Sequence, residues 1–516
     1  MKEMKTMGFL TTTDINKQPS PLAISDQALT DLMLDEYLGR IFQGHHGDQS
    51  LNWTSFLTTD VQDLLYRREV LQELAGNPAL VESISEVCKC LSQIRALQDA
   101  PTSDEFYAES IREYSVLQLA HSTMSALSEE LGKLSAAGGI KSRGLQQLSR
   151  VISEKVATNF TAQFEDRWQA YAGGLEQLGS YRIRLTLDAE LHICGAALTA
   201  IQKEQFVKGG LFGSRTLKEL RQPDKVWDLQ PLKEMKTPAE ELIRVQLSNN
   251  QKQFYQALQR ITADLEDLYQ DLLFYLGALR YMRQMRKTNT AVCYPEIRPM
   301  ETKEFSAKTM INPVLTVFKH GGTIPNDIEF LPGGEILVLT GINQGGKTTF
   351  LRTVGVIQAM FQLGWPVPAT EAAISPVDKI VTVFSHEENT ELQHGKLGQE
   401  LKTMRAGLDL ATPNSLFLCN EPITGTSPME NLFLSRDVLS ACKLQGYKGI
   451  WVTHIYDLAS GAKVMNESLT GSTISSIIAV AVGSGSDVGA SYKVVRGEPQ
   501  FTSYAKEVLR KETGIF

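Results

Sequence analysis

From about Leu29 to Asp271 apolar residues recur at steps of three and four, and the pattern breaks only at Asn77-Pro78, Pro101, Gly138-Gly139, Gly173-Gly174 and Gly209-Gly210. A succession of helices joined by short connections is predicted. One stretch differs: Tyr181 to Leu187 alternates polar and apolar residues with period two, which predicts an exposed strand in a small sheet or ribbon. The clearest helix start is Thr237-Pro238-Ala239-Glu240, a capping box with proline at the first helical position. After it Phe254, Leu258, Ile261, Leu265, Leu268, Leu272, Leu276 and Leu279 form a seam close to the coiled-coil repeat. A helix from Pro238 to Arg286 would run about 70 Å. It reads equally as a buried bundle helix or as a rigid lever joining two distant sites.

Beyond Thr288 the texture changes, with Pro295, Pro299 and Pro313 in an irregular linker. Short apolar runs then suit the buried strands of an α/β sheet: Glu335 to Thr340, Ser415 to Cys419, Gly449 to Thr453 and Ile477 to Val482. The expected fold is therefore mixed. Residues 31–290 read as an all-α core with a long coiled-coil-like helix, residues 291–516 as an α/β domain, and residues 1–30, rich in turn formers, stay unassigned.

Composition narrows the classes. Hydrophobic residues make up 42% of the 516, which excludes a mainly disordered chain. Lysine and arginine total 51 against 59 acidic residues, a net charge of −8, and no segment is a basic nucleic-acid tail. No apolar run approaches the roughly twenty residues of a membrane span, and the first residues hold no apolar core of signal-peptide length. A cytoplasmic protein with no membrane partner is expected. The six cysteines, Cys88, Cys90, Cys194, Cys293, Cys419 and Cys442, include one C-x-C without a second pair or a nearby histidine, and read as reduced structural thiols.

The strongest chemical signal is Gly341-Ile342-Asn343-Gln344-Gly345-Gly346-Lys347-Thr348, which fits G-x-x-x-x-G-K-S/T between a predicted strand and the helical run from Thr349 to Leu363. In such a loop backbone N–H groups surround the phosphates and the helix N-terminus adds its positive end. Lys347 would reach the β and γ oxygens of ATP, and Thr348 would give its hydroxyl to Mg2+. The nucleotide-binding residues are thus Gly341 through Thr349. A second strand should carry a carboxylate, and Leu416 to Cys419 ends in Asn420-Glu421. Asn420 offers only a neutral carbonyl, in the outer sphere of the metal, or is simply a strand-end turn former. Glu421 keeps a carboxylate able to bear on the metal and to orient and deprotonate the attacking water, so hydrolysis is expected, slowed by the neutral Asn420. Past it come the small residues Thr424 to Ser427, then Thr453-His454 at the next strand end, where His454 can bond the terminal phosphate or the water.

Asn343 through Arg352, Asn420-Glu421, Gly425 to Ser427 and Thr453-His454, in this order and spacing, resemble the ATPase domain of MutS-type mismatch repair proteins. Asn312-Pro313-Val314, Ile324 to Asp327, Val367-Pro368-Ala369 and Pro376 to Ile380 extend the likeness. Trp53 to Ile94, with Leu64 to Leu71, looks like the start of the family's helical core, and the long helix looks like its lever. The resemblance covers about residues 40 to 510, and it implies an ABC-type P-loop ATPase that uses ATP and Mg2+, works as a dimer through its ATPase domains and acts on DNA. Three departures stand against conventional mismatch recognition. Core-like helices begin within about forty residues of Met1, the span from Gln147 to Thr237 is short for lever helices plus a DNA clamp, and the family's signature loop is matched by Gly395 to Gln399 without its serine. Lys396 and Gln399, ahead of the helical run Glu400 to Leu410, could instead approach the partner subunit's γ-phosphate, or form an ordinary surface helix start.

Three functions follow from these residues: a dimeric ATPase that couples nucleotide state to DNA binding, an ATP-dependent factor on structured RNA or a ribosome, and a nucleotide-gated protein scaffold. Phosphate contacts would fall to Lys141, Arg143 and Arg150, or to Arg280, Arg283, Arg286 and Lys287, which otherwise read as solvated faces.

Overall fold

The computed structural model describes residues 10, 21–42, 51–99, 106–161, 164, 166, 180–187, 193–202, 259–261, 263, 265–318, 323–385, 395–482 and 489–499. The capping box at Thr237 and the seam positions Phe254 and Leu258 lie outside the described residues. Packing divides the rest into two compact units: Leu10 with residues 76–272, and residues 21–75 with 273–499.

Along the chain the elements are β1 (Ala23–Ile24), α1 (Asp26–Asp31), α2 (Leu34–Phe42), α3 (Val61–Gly76), α4 (Pro78–Asp99), α5 (Phe106–Ala136) and α6 (Arg143–Asn159). Strands β2 (Ser180–Leu187) and β3 (Ile193–Gln202) pair antiparallel, so the period-two stretch is a ribbon. Residues 265–287 form helix α7. There follow β4 (Glu296–Ile297), β5 (Phe305–Met310), α8 (Pro313–Phe318), β6 (Asn326–Glu329), β7 (Glu335–Gly341), α9 (Lys347–Gln362), β8 (Glu371–Ile374) and β9 (Lys379–Phe384). The last are α10 (Lys396–Leu410), β10 (Leu416–Asn420), α11 (Pro428–Leu444), β11 (Lys448–Val452), α12 (Tyr456–Ser460), α13 (Ala462–Ser468), β12 (Thr473–Val482) and β13 (Gly489–Arg496).

In the first unit each helix buries one stripe. Leu80, Ile84, Leu91 and Ile94 of α4, Leu117, Met124 and Leu131 of α5, and Leu145, Leu148 and Ile152 of α6 are buried, as are the seam residues Ile261, Leu265, Leu268 and Leu272. Asn77 stops the preceding helix and caps α4, its Oδ1 accepting from Leu80 N at 3.2 Å ahead of Pro78. No helix among the described residues is long and apolar enough to cross a membrane.

The second unit is built on a seven-stranded sheet in the order β1-β9-β10-β11-β7-β12-β13, parallel throughout except for β13, beside a four-stranded sheet ordered β4-β8-β5-β6. The runs expected as strands are β7, β10, β11 and β12, and the side chains of β7, β10 and β11 are almost all buried where parallel strands are covered on both faces, whereas β12 buries only Ile474, Ile477 and Ala479. Arg496 holds the fully buried Glu335 of β7 through paired contacts of 2.7 and 2.8 Å, stitching the sheet across β12.

Packing places the N-terminal residues differently from their sequence assignment. Ala23 and Ile24, in the stretch left unassigned above, supply the parallel edge strand β1 against β9. Residues 31–42 and 51–75, read as part of the helical core, are fastened to the sheet unit. The buried Asp31 accepts from Thr382 Oγ1 at 2.7 Å, and its carbonyl from Arg352 Nε at 2.7 Å. Trp365 meets Phe42 at 5.5 Å, Phe274 at 5.7 Å and Tyr281 at 5.9 Å between ring centroids. Gln362 donates to the carbonyls of Thr58 and Val377 and accepts from Val377 N. A helical period says that one face is covered but not by which element, and a two-residue strand carries no periodic signal.

Lys448, the first residue of β11, is 1% exposed, its Nζ has no hydrogen-bond partner, and it stands 5.9 Å from the ring of Phe305. Burial, helped by the neighbouring Lys303 ammonium, pushes its pKa down from 10.5 to about 7. Between those values the unfolded chain binds a proton that the folded chain does not, so this residue makes stability rise with pH from about 7 to 10.5, and the penalty is largest and constant below. Lys448→Met is expected to raise stability most at neutral and lower pH and to flatten that rise, as read by urea unfolding at pH 6.5, 8 and 9.5. Equal gains at all three would show that the ammonium is not the destabilising group.

Candidate nucleotide-binding site

Parallel register brings the candidate residues to one edge of the sheet. Leu339 of β7 pairs with Val452 of β11, and Val452 with Asn420 of β10, so β11 and β10 end level with each other beside Leu339, while β7 runs two residues further to Gly341. The ladder continues past their ends: Thr453 N donates to Leu339 O at 3.1 Å and Glu421 N to Val452 O at 3.0 Å. This is the carboxyl edge, where open α/β sheets take their ligands.

The loop from Gly341 to Gly346 turns from β7 into α9. Gly341 has φ +127°, and a Cβ there would stand 2.6 Å from Ala479 O; Gly346, the N-cap of α9, has φ +86°. Gln344 also takes a positive φ, 57°. Asn343 and Gln344 are exposed, while Ile342, Thr348 and Thr349 are half-buried and Gly345 is buried. Lys347 is 6% exposed and its Nζ donates to the carbonyls of Gly341 at 3.1 Å and Ile342 at 2.9 Å. Burial lowers its pKa, and the Glu421 carboxylate works in the opposite direction. Thr349 O accepts from Thr353 Oγ1 at 2.7 Å, an ordinary helical back-bond.

Across the edge Thr348 Oγ1 donates to Asn420 Oδ1 at 3.0 Å. Next to it His454 Nε2 donates to Glu421 Oε1 at 2.7 Å. Glu421 has φ 49°, a left-handed conformation that turns its side chain out of the alternation of β10. The hydrogen bond from His454 is the chief reason its pKa is lowered; burial opposes, and the charges of His454 and Lys347 lower it further. An ammonium, a hydroxyl, an amide carbonyl and a carboxylate thus surround a glycine-bounded loop at an α-helix N-terminus. Their hard oxygen donors and single buried cation fit the chemistry of a magnesium-bound triphosphate.

The structure brings Gly341 to Thr349, Asn420, Glu421 and His454 together. The Gly395 to Gln399 segment is arranged differently from the expected loop before a helix: Gly395 is the N-cap, and Lys396 to Gln399 form the first turn of α10 itself. Leu397 and Gln399 are good helix formers, and one glycine at 398 does not stop the turn. Lys396 and Gln399 are exposed there. Ser427 caps α11, its Oγ accepting from Glu430 N at 3.3 Å with Pro428 at the first position. Of the basic candidates Lys141, Arg143, Arg150, Arg283, Arg286 and Lys287 are exposed, while Arg280 donates to Ile41 O at 3.2 Å. Sequence reasoning missed Tyr492 of β13, 51% exposed, whose ring would lie 3.3 Å from a Cβ on Gly346. Nothing in its sequence surroundings marks it, because the approach is made by a strand distant in the chain.

The description "MutS domain V" matches residues 337–511, and "MutS2 N-terminal domain" matches residues 59–288. The chain belongs to the MutS family. It is 28% identical over 204 residues to the DNA mismatch repair protein MutS of Shouchella clausii, covering 39% of this chain and 22% of that one. To the endonuclease MutS2 of Thermus thermophilus it is 34% identical over 129 residues, covering 25% and 17%. To the DNA mismatch repair protein MSH2 of Saccharomyces cerevisiae it is 27% identical over 259 residues, covering 47% and 27%. The matched part therefore spans about a quarter or less of each relative's length.

Because the His454 bond holds the Glu421 carboxyl below its ordinary range, His454→Ala is expected to raise that pKa. Carbon-detected NMR titration of the Glu421 carboxyl reads the change. A midpoint that does not move upward would show that the pair is not formed in solution.

Proposed function

We propose that this chain is a MutS-type ATPase that binds ATP with Mg2+ at the Gly341 to Thr349 loop, hydrolyses it slowly in a dimer, and couples nucleotide state to DNA binding. The observation that carries the reading is the meeting of two pairs, Thr348 with Asn420 and His454 with Glu421, at one sheet edge beside Lys347. Residues 291–516 are its ATPase domain and the helical region its core and lever. A cytoplasmic setting fits these parts.

When bound, magnesium neutralises charge on the β and γ oxygens. Lys347, which donates to two loop carbonyls, would bind those oxygens, and the Thr348 hydroxyl, with Asn420 behind it, would hold the metal. Glu421, ionised at neutral pH, orients the attacking water and accepts its proton. His454 keeps that carboxylate aimed and faces the terminal phosphate. The neutral Asn420 draws the metal less strongly than a carboxylate, which makes turnover slow. Lys396 and Gln399, exposed at the start of α10, face the partner copy's nucleotide. Exposed Lys141, Arg143, Arg150, Arg283, Arg286 and Lys287 supply phosphate contacts, whose affinity falls steeply with salt.

Lys347→Ala is expected to abolish nucleotide binding and turnover, and normal rates in that variant would remove the assignment. Asn420→Asp is expected to lower the magnesium concentration for half-maximal rate by about tenfold; an unchanged magnesium dependence would place Asn420 outside the metal's surroundings. Fluorescence anisotropy with homoduplex, mismatched and branched DNA and structured RNA, with ATP and ADP compared, tests the coupling. Nucleotide-dependent DNA binding supports it, RNA alone would redirect it to a ribosomal or RNA target, and no binding at physiological salt would turn it to protein partners.

A further inference from the structure

One carboxylate outside the catalytic group gathers three hydrogen bonds. Glu400, at the end of the first turn and a half of α10 and 8% exposed, accepts at Oε2 from Thr424 N at 3.0 Å and Gly425 N at 2.9 Å, and at Oε1 from Thr424 Oγ1 at 2.6 Å. Gly425 is pressed on the same helix: a Cβ there would stand 2.7 Å from Leu397 N and 3.0 Å from Lys396 Cγ. At its other end this short segment hangs from the sheet through Glu421 N and Val452 O at 3.0 Å. Between the two anchors lie only Pro422, with its fixed φ, and Ile423, 2% exposed. A link so short and so well packed transmits displacement instead of absorbing it. Charge-assisted bonds to a nearly dry carboxylate are the strong kind, and removing the acceptor would leave two N–H groups without their partner.

We propose that Glu400 is a positioning residue that binds the Thr424–Gly425 turn and the first turn of α10 into one body, so that Glu421 reaches its working position only while Lys396 to Gln399 are seated. The inference rests on the reading that Glu421 serves ATP hydrolysis, and it adds a path by which whatever touches the exposed start of α10 governs that step. Lys347 and the phosphate loop are not part of this body, so the effect falls on turnover and not on nucleotide affinity.

The test compares Glu400→Ala, Glu400→Gln and Gly425→Ala in the full chain. Glu400→Ala is expected to lower kcat for ATP by about ten- to a hundredfold, the scale of a small misplacement of a catalytic group, with KM within about twofold. Glu400→Gln keeps an oxygen for the two N–H groups and is expected to recover most of the lost rate. Gly425→Ala, whose Cβ would stand 2.7 Å from Leu397 N and 3.1 Å from Glu400 Oε2 and so wedges the turn from α10 while the carboxylate itself is kept, is expected to reproduce the Glu400→Ala loss. Hydrogen exchange adds a readout independent of activity: amides of residues 421–427 exchange faster in Glu400→Ala, while those of β7 and α9 do not change. Wild-type kcat in both alanine variants, a matching rise in KM, equal loss in the glutamine variant, or unchanged exchange at 421–427 would each overturn the proposal. If the wild-type chain shows no turnover dependent on Lys347, the ATPase reading fails and the exchange measurement alone decides the linkage. Should Glu400→Ala not fold by circular dichroism, Gly425→Ala and Glu400→Gln decide it.

Discussion

The register of three parallel strands is the constraint on which the rest depends. A parallel ladder fixes the offset between neighbouring strands to the residue, and here it sets Leu339, Val452 and Asn420 side by side. Because the backbone bonds run on to Thr453 and Glu421, the groups beyond the strands inherit that alignment. A slip of one residue in any strand would turn its side chains to the other face and separate Thr348 from Asn420 or Glu421 from His454. The buried faces of β7, β10 and β11 oppose such a slip, so the apolar core and the chemistry are specified by the same residues.

The phosphate loop, the Asn420-Glu421 pair and His454 were legible in the sequence because each sits at a junction of patterns: an apolar strand, a turn of small residues, a helix. The four expected strands and the ribbon were legible for the same reason. What escaped was partnership. Asp31, Glu400 and Tyr492 are ordinary members of their segments, and their roles come from residues far away in the chain: Thr382 and Arg352 for the first, Thr424 and Gly425 for the second, Gly346 for the third. Local periodicity has no term for such contacts.

Two buried charges show how differently the same unit treats them. Glu335 is fully buried, but Arg496 meets both its oxygens and Ser475 adds a hydroxyl. Lys448, also on a central strand, has an aromatic face nearby and no acceptor. The first arrangement balances desolvation with paired bonds, and the second leaves it unbalanced.

The pairing of β1 with β9 bears on the order in which the protein is made. The edge strand of the sheet leaves the ribosome before its neighbour, which follows more than three hundred residues later, after the helical unit between them. During synthesis β1 and the apolar faces of α1 and α2 must therefore wait without their final cover. Translation speed and chaperone access thus act on this sheet at a point where its chemistry does not yet exist, and a fragment begun near residue 290 would present β9 as an open edge.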